Sequence, residues 1–107
     1  MTTKKSKAKD TDIKASIQRI VKKGKVLFGS KETIESLLIG NPKYIILSNS
    51  CPREKRDRII YYSRLAKVPY KILDINSKEL GILCGKPFPV ASMAILDSAG
   101  VSLGEDG

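Results

Sequence analysis

With 107 residues, 41% of them hydrophobic, the chain is long enough for one domain with a single core. The formal net charge of +9 favours a polyanionic partner. Histidine is absent, and the two cysteines, Cys51 and Cys84, are far apart in sequence, so we expect no metal, no cofactor and no catalytic residues. No apolar run approaches the ~20 residues of a membrane helix and no apolar leader follows Met1, which predicts a protein that stays in the cytoplasm, away from membranes.

The first part of the chain predicts a tail, a helix, a strand and a second helix. Residues 1–9 are rich in lysine and predict a disordered basic tail. Residues 10–23 carry apolar side chains at helical spacing, and Gly24 is typical of a helix stop. A short strand over Lys25–Phe28 follows. Ser30 is then expected to cap a helix that runs to Ile39.

The central run Tyr44–Leu47 is continuously apolar, which predicts a strand buried on both faces. After it, Ser50 is expected to cap a third helix with Pro52 in its first turn. The helix ends before Pro69. Downstream we predict, in order, a strand over residues 70–73, a short helix capped by Ser77 or Asn76, a proline-rich loop, a strand over residues 90–96 and a frayed segment over residues 98–107.

Helices and strands alternate almost strictly along the chain. This pattern predicts the α/β class and, within it, a three-layer α/β/α sandwich with a mixed sheet of about four strands. Residues 10–97 would form the single domain.

Three junctions between predicted elements carry the side chains best suited to binding. They are Gly29-Ser30-Lys31, Asn49-Ser50-Cys51-Pro52-Arg53 and Gly85-Lys86-Pro87-Phe88-Pro89-Val90. If the relevant strands run the same way, all three emerge at one edge of the sheet. Amide groups and basic side chains at a helix start are suited to phosphate or to the polar edge of a base.

Each of these features also has a purely structural interpretation. Gly29 is either a turn glycine with positive φ or a point where a ligand approaches the backbone. Asn49 forms an Asx turn or cap, or reads a base edge. Phe88 anchors its loop in the core, or stacks on a base. The basic residues from Arg53 to Arg58 form a solvated helix face or a surface for a polyanion.

Several blocks of the sequence resemble a known family. They are the Gly-Ser-Lys-Glu-Thr-Ile run at residues 29–34, residues 45–52 with the Tyr-Tyr block at residues 60–66, and the Glu-Leu-Gly block at residues 79–86. Across about residues 13–97 the chain is similar to the archaeal and eukaryotic large-subunit ribosomal proteins of the L-thirty-e family. That family belongs to the wider kink-turn RNA-binding family. The box C/D and signal-recognition members of the wider family carry Asn-Glu after their glycine, whereas this chain has Lys31-Glu32, which favours the ribosomal group.

The resemblance implies a non-catalytic protein of the cytoplasmic ribosome, monomeric when free, that binds a kink-turn in large-subunit ribosomal RNA beside neighbouring ribosomal proteins. It implies that Gly29 and Lys31 contact base edges and backbone and that Asn49 reads a base edge. Further RNA contacts would come from Ser30, Ser50, Arg53, Lys86, Phe88, Pro89 and Val90, the last three against a flipped-out nucleotide.

Three other functions remain as alternatives. The same sandwich serves as a protein-interaction scaffold, or as a kink-turn binder of another ribonucleoprotein. A thiol-dependent enzyme would use Cys51, because a helix N-terminus lowers a thiol pKa.

Overall fold

A computed structural model describes residues 14–40, 42–98 and 100 of the chain. The predicted tail, the first residues of the first predicted helix and most of the predicted frayed C-terminus lie outside this range. Within it, no helix is both long and apolar enough to cross a membrane.

Four helices and four strands alternate along the described chain. The first helix, α1, is described over residues 14–23. The other elements are β1 (Lys25–Phe28), α2 (Ser30–Ile39), β2 (Tyr44–Leu47), α3 (Arg53–Ala66), β3 (Tyr70–Ile72), α4 (Ser77–Leu83) and β4 (Ser92–Asp97).

The four strands form one mixed sheet in the order β1-β4-β2-β3. β4 pairs antiparallel with both β1 and β2, and β2 pairs parallel with β3. Hence β1, β2 and β3 run in one direction and β4 runs in the other. The last of the described strands, β4, therefore lies between β1 and β2.

Two hydrophobic clusters cover the two faces of the sheet, because successive strand residues point to opposite sides. Ile46 and Met93 join one cluster, which packs under α1 and α4. Ile45 and Ala94 join the other, which packs under α2 and α3. The predicted three-layer α/β/α sandwich with a mixed sheet is thereby confirmed, as is the burial of β2 on both faces.

Several predicted boundaries differ by one or two residues. The third strand ends at Ile72 rather than at residue 73. The last strand covers Ser92–Asp97 instead of residues 90–96, because the N–H of Val90 donates to the carbonyl of Ser77 at the start of α4, at 2.9 Å, rather than to the sheet.

Two of the predicted helix caps are wrong. Ser30 is the first residue of α2, with Gly29 at the N-cap and no side-chain cap. Pro52 holds the N-cap position of α3, again without a side-chain cap, and Ser50 does not cap this helix. At α4 the alternative is resolved in favour of Asn76, which forms a reciprocal capping box with Glu79.

Candidate nucleic-acid interface

The three sequence-defined junctions lie at the same edge of the sheet. The first junction (residues 29–31) follows β1, and the second junction (residues 49–53) follows β2. The third junction (residues 85–90) leads into β4. It reaches the same edge because β4 is antiparallel to its neighbours. The condition that all relevant strands run the same way is not met by β4, and a parallel β4 would have placed this loop at the far edge.

Backbone hydrogen bonds hold the three junctions together. The N–H of Gly29 donates to the carbonyl of Ser92 at 2.9 Å, and the N–H of Ser48 donates to the carbonyl of Ala91 at the same distance. The hydroxyls of Ser30 and Ser92 lie 3.2 Å apart. The first and second junctions are thus both fixed to the short segment that follows the third.

Gly29 gives the first junction a backbone conformation that other residues rarely adopt. Its φ of 102° and ψ of 154° lie in a region that is essentially restricted to glycine. A Cβ built on Gly29 meets no heavy atom within 4 Å, so the space beside this backbone is open. Thr33 closes the turn by donating its hydroxyl to the Gly29 carbonyl at 2.7 Å. The backbone is therefore both fixed and accessible, and Lys31 is exposed beside it.

Hydrogen bonds fix the orientation of Asn49 in the second junction. Its backbone N–H donates to the carbonyl of Ile75 at 2.8 Å. Its side-chain amide donates to Asp74 at 3.4 Å, although Asn49 is exposed. The hydroxyl of Ser50 accepts the N–H of Ser77 at 2.8 Å, which ties the junction to the start of α4.

Arg53 completes the second junction as an exposed cation. Its guanidinium lies 3.8 Å from the carboxylate of Asp57, and its side chain is 85% exposed. Such an exposed ion pair contributes little to stability, and another anion can easily replace the carboxylate. The guanidinium is thus available to a phosphate.

The third junction packs an aromatic ring against the first strand. Phe88 meets Phe28 edge to face, with the ring centroids 6.5 Å apart, and remains 47% exposed. The ammonium of Lys86 lies 4.9 Å from the centroid of the Phe28 ring. Pro89 is exposed beside Phe88. Phe88 therefore anchors its loop on Phe28, and about half of its surface remains exposed to solvent.

Val90 does not contribute to the exposed apolar surface that the sequence suggested. Its side chain is only 1% exposed and belongs to the core under α1 and α4. The bond between its N–H and the Ser77 carbonyl turns the chain inward at this residue. The exposed apolar surface of this loop comes from Phe88 and Pro89.

The two thiols are poorly suited to chemistry. Cys51 is buried, and burial raises its pKa despite the opposing charges of Arg56 and Lys55. The expected lowering of its pKa by the helix terminus is therefore wrong. Burial also raises the pKa of Cys84 to about 11. Among the described residues, no three acidic or cysteine side chains cluster in a way that would hold a metal ion.

The structure adds supporting residues that local sequence patterns did not reveal. Asp74, Ser77 and Ser92 hold Asn49, Ser50 and Ser30 from 25, 27 and 62 positions away in the sequence. Contacts over such separations have no local signature. The sequence does contain one signal for such a supporting residue, because Ser92 is the one polar residue in an otherwise apolar predicted strand.

The fold, together with the sheet edge that carries the three junctions, defines the class of protein. It is a basic α/β/α sandwich with exposed polar, cationic and aromatic groups at one end of its sheet. A family model described as the Ribosomal protein L7Ae/L30e/S12e/Gadd45 family matches residues 11–102, and the chain belongs to this family.

Similar proteins agree with this assignment. Large ribosomal subunit protein eL30 of Methanopyrus kandleri is 44% identical over 86 residues, which cover 80% of this chain and 79% of the relative. The protein of the same name from Methanocaldococcus jannaschii is 40% identical, over 80% of this chain and 78% of its own. The resemblance noted in the sequence is confirmed.

A solved structure also shares the fold. It is that of a protein with unknown function from Bacillus halodurans C, which superposes with a TM-score of 0.67 over 80% of this chain and 86% of its own. Its sequence identity of 16% supports the fold alone.

Proposed function

We propose that the protein is a non-catalytic structural constituent of the large ribosomal subunit in the cytoplasm and that it binds a kink-turn in ribosomal RNA. The names of its relatives support the ribosomal assignment. Its partners would be this RNA and neighbouring ribosomal proteins, and the free protein would be a monomer.

The observation that carries the proposal is the convergence of the three junctions at one sheet edge. A kink-turn brings phosphates close together at a sharp bend and turns a nucleotide outward. Such an RNA requires cations, an accessible backbone and an apolar surface within a short distance of one another. This edge supplies Lys31 and Arg53, the open backbone of Gly29, and the exposed ring of Phe88.

Roles follow from the chemistry of each group. Asn49 would read a base edge, because an amide both donates and accepts and because Asp74 fixes its orientation. Lys31, Arg53 and Lys86 would contact phosphates, with added hydrogen bonds from the hydroxyls of Ser30 and Ser50.

The flipped-out nucleotide would pack on Phe88 and Pro89. Val90 would support this loop from the core, because its own side chain is buried.

The decisive test is a titration against two RNAs of equal length at two salt concentrations. One RNA contains a kink-turn, and the other is a fully paired duplex. If binding neutralises about four phosphates, log K falls with log salt at a slope of roughly −3 to −4. We expect much tighter binding to the kink-turn, with the preference retained at the higher salt.

Equal affinity for both RNAs, lost for both at the higher salt concentration, would refute the proposal. It would leave a basic surface without shape recognition, and the protein-scaffold alternative would then be preferred.

A further inference from the structure

A groove runs along α1 and α4 and adjoins the third junction. It consists of three hollows of about 390, 260 and 260 Å³, and Ile82 of α4 lines all of them. This isoleucine is 68% exposed. We call this surface the α1–α4 groove; its walls are formed mainly by Lys14, Gln18 and Lys22 from α1, by Lys78 and Ile82 from α4, and by Phe88.

The α1 wall follows from helical periodicity. Lys14, Gln18 and Lys22 are four residues apart, so they share one face, while Ile17 and Ile20 point into the core. On α4, Lys78 and Ile82 likewise share a face, whereas Leu80 is fully buried. Ile82 is therefore an apolar side chain that the core does not use.

The groove has an apolar floor and a cationic rim. Four lysines, at positions 14, 22, 78 and 86, are among the described residues that line its hollows. Among these described residues the one acid is Glu79, whose carboxylate already accepts the N–H of Asn76 at 3.1 Å. Apolar surface bordered by like-charged cations is suited to a chain that carries both flat bases and phosphates.

The groove is continuous with the candidate interface at two points. Its largest hollow is lined by residues of the third junction, including Phe88. Another is lined by Ile75, whose carbonyl accepts the backbone N–H of Asn49. An RNA strand bound at the junctions would pass directly onto this surface.

We propose that the α1–α4 groove binds a single-stranded segment of the same RNA as that segment leaves the kink-turn. One base would pack on Ile82, and neighbouring phosphates would lie beside Lys14, Lys22 and Lys78. The inference rests on the proposed function and extends it. It adds a second binding surface, which requires a single-stranded segment of the RNA next to the kink-turn.

The volume and charge favour a nucleic acid over a protein partner. The largest hollow lies within the range of roughly 300–1,000 Å³ that is typical of small-ligand sites, which is sufficient for a nucleotide. A rim of four lysines would be costly to cover with an ordinary protein surface, whereas a phosphate chain neutralises it.

The test compares a kink-turn RNA that ends flush at both helices with the same RNA carrying a short single-stranded oligouridine extension at either end. For the wild-type protein we expect one extension to increase affinity by about tenfold at low salt. If three phosphates are neutralised, the extension also steepens the salt slope by about 2, at roughly 0.7 per phosphate of a single strand.

Two variants and two matched controls locate the effect. Ile82→Ser and Lys78→Ala should lose most of the gain from the extension and bind the flush RNA as the wild type does. Ile39→Ser changes an isoleucine that is 74% exposed at the end of α2, and Lys43→Ala changes an exposed lysine beside the start of β2. Both controls lie near the opposite edge of the sheet and should retain the full gain.

The outcomes separate the two proposals. If the flush kink-turn is bound tightly but no extension adds affinity, the groove inference is wrong while the proposed function stands. An unchanged gain in Ile82→Ser and Lys78→Ala, or an equal loss in the controls, also overturns it. Normal RNA binding by these two variants combined with defective incorporation into ribosomal particles would overturn it in favour of a protein neighbour. Failure to bind any kink-turn would refute the proposed function itself.

Discussion

Replacing Gly81 by alanine should separate two effects that usually act together, helix propensity and packing. Gly81 lies within α4, where an alanine would ordinarily stabilise a helix by about 1 kcal/mol. However, a Cβ at this position would lie closer than 3.0 Å to the backbone carbonyl oxygen of Phe88, and it would lie 3.3 Å from the Cα of Pro89. These are backbone atoms, so no side-chain rotation relieves the overlap, and the third junction must move by about 1 Å.

The expected cost follows from the contacts that this movement disturbs. Overpacking against backbone costs about 2 kcal/mol. The movement also weakens the bond from the Lys86 N–H to the Gly81 carbonyl and that from the Val90 N–H to the Ser77 carbonyl, each at 2.9 Å, for a further ~1 kcal/mol. After subtraction of the gain in helix propensity, the free energy of unfolding should fall by about 2 kcal/mol. The midpoint of thermal unfolding should fall by roughly 10 °C.

RNA binding should also weaken, because Phe88 can no longer keep its T-shaped contact with Phe28. We expect about a tenfold lower affinity for a kink-turn at 25 °C, where the variant remains folded. Gly40→Ala is the matched control. Gly40 has a φ of 81°, a Cβ added to it would meet no heavy atom within 4 Å, and it lies at the other edge of the sheet. It should lose ~1–2 kcal/mol of stability without losing RNA affinity.

Chemical denaturation and fluorescence titration measure both quantities. A Gly81→Ala protein as stable as the wild type would refute the close packing of α4 against the third junction. Reduced stability with unchanged RNA affinity would refute the role of that packing in the interface.

Four further predictions concern single residues. Gly29→Ala should cost about 1–3 kcal/mol in urea denaturation, because its backbone conformation rather than its surroundings requires glycine. Asn49→Ala should lower affinity for a kink-turn by ~1–3 kcal/mol while leaving duplex binding unchanged. Lys31→Ala should weaken binding to both RNAs and reduce the salt slope by about one. Burial raises the pKa of Cys84 from its ordinary 9.0 to about 11. The protonated thiol therefore contributes stability that is complete below pH 9 and is lost as the pH rises to about 11. Over that interval the wild type should lose more free energy of unfolding than Cys84→Ala does.

Each of these has a result that would contradict it. A neutral Gly29→Ala would mean that the turn relaxes freely. An equal loss on kink-turn and duplex for Asn49→Ala would exclude base reading. An unchanged slope for Lys31→Ala would place this lysine away from phosphate. Parallel stability curves for the wild type and Cys84→Ala between pH 9 and 11 would show that the folded thiol ionises normally.

The order and type of the elements could be predicted from sequence because the signals are local. β2 is a continuous apolar run, and it is buried on both faces as such runs usually are. Gly40 and Gly85 stop their helices with positive φ, as glycines after helices commonly do. The positions of the three junctions could be predicted for the same reason, since each follows or precedes an element that local sequence signals reveal.

The details that failed depend on contacts distant in sequence. Serine is a residue type that commonly caps helices, but the hydroxyl of Ser50 accepts the N–H of Ser77 instead. Val90 is expected at the surface from its closeness to Phe88 and from the family resemblance, yet the bond from its N–H to the Ser77 carbonyl turns it into the core. Gly24 follows the last residue of α1, as predicted, but the reason differs from the expected one because its φ is not positive. The structure requires glycine there because a Cβ would overlap the carbonyl of Asp97.

The position of β4 has a consequence for the synthesis of this protein. Because β4 is the last of the described strands to be made and lies between β1 and β2, a nascent chain that has emerged only as far as β3 holds β1 without its strand partner. The same strand and the residue before it supply the carbonyls that fix Gly29 and Ser48, so the proposed RNA-binding edge is also incomplete until then. Such long-range pairing delays folding until β4 has been synthesised. A truncated or stalled product that lacks β4 should therefore be unable to compete with the folded protein for the proposed RNA.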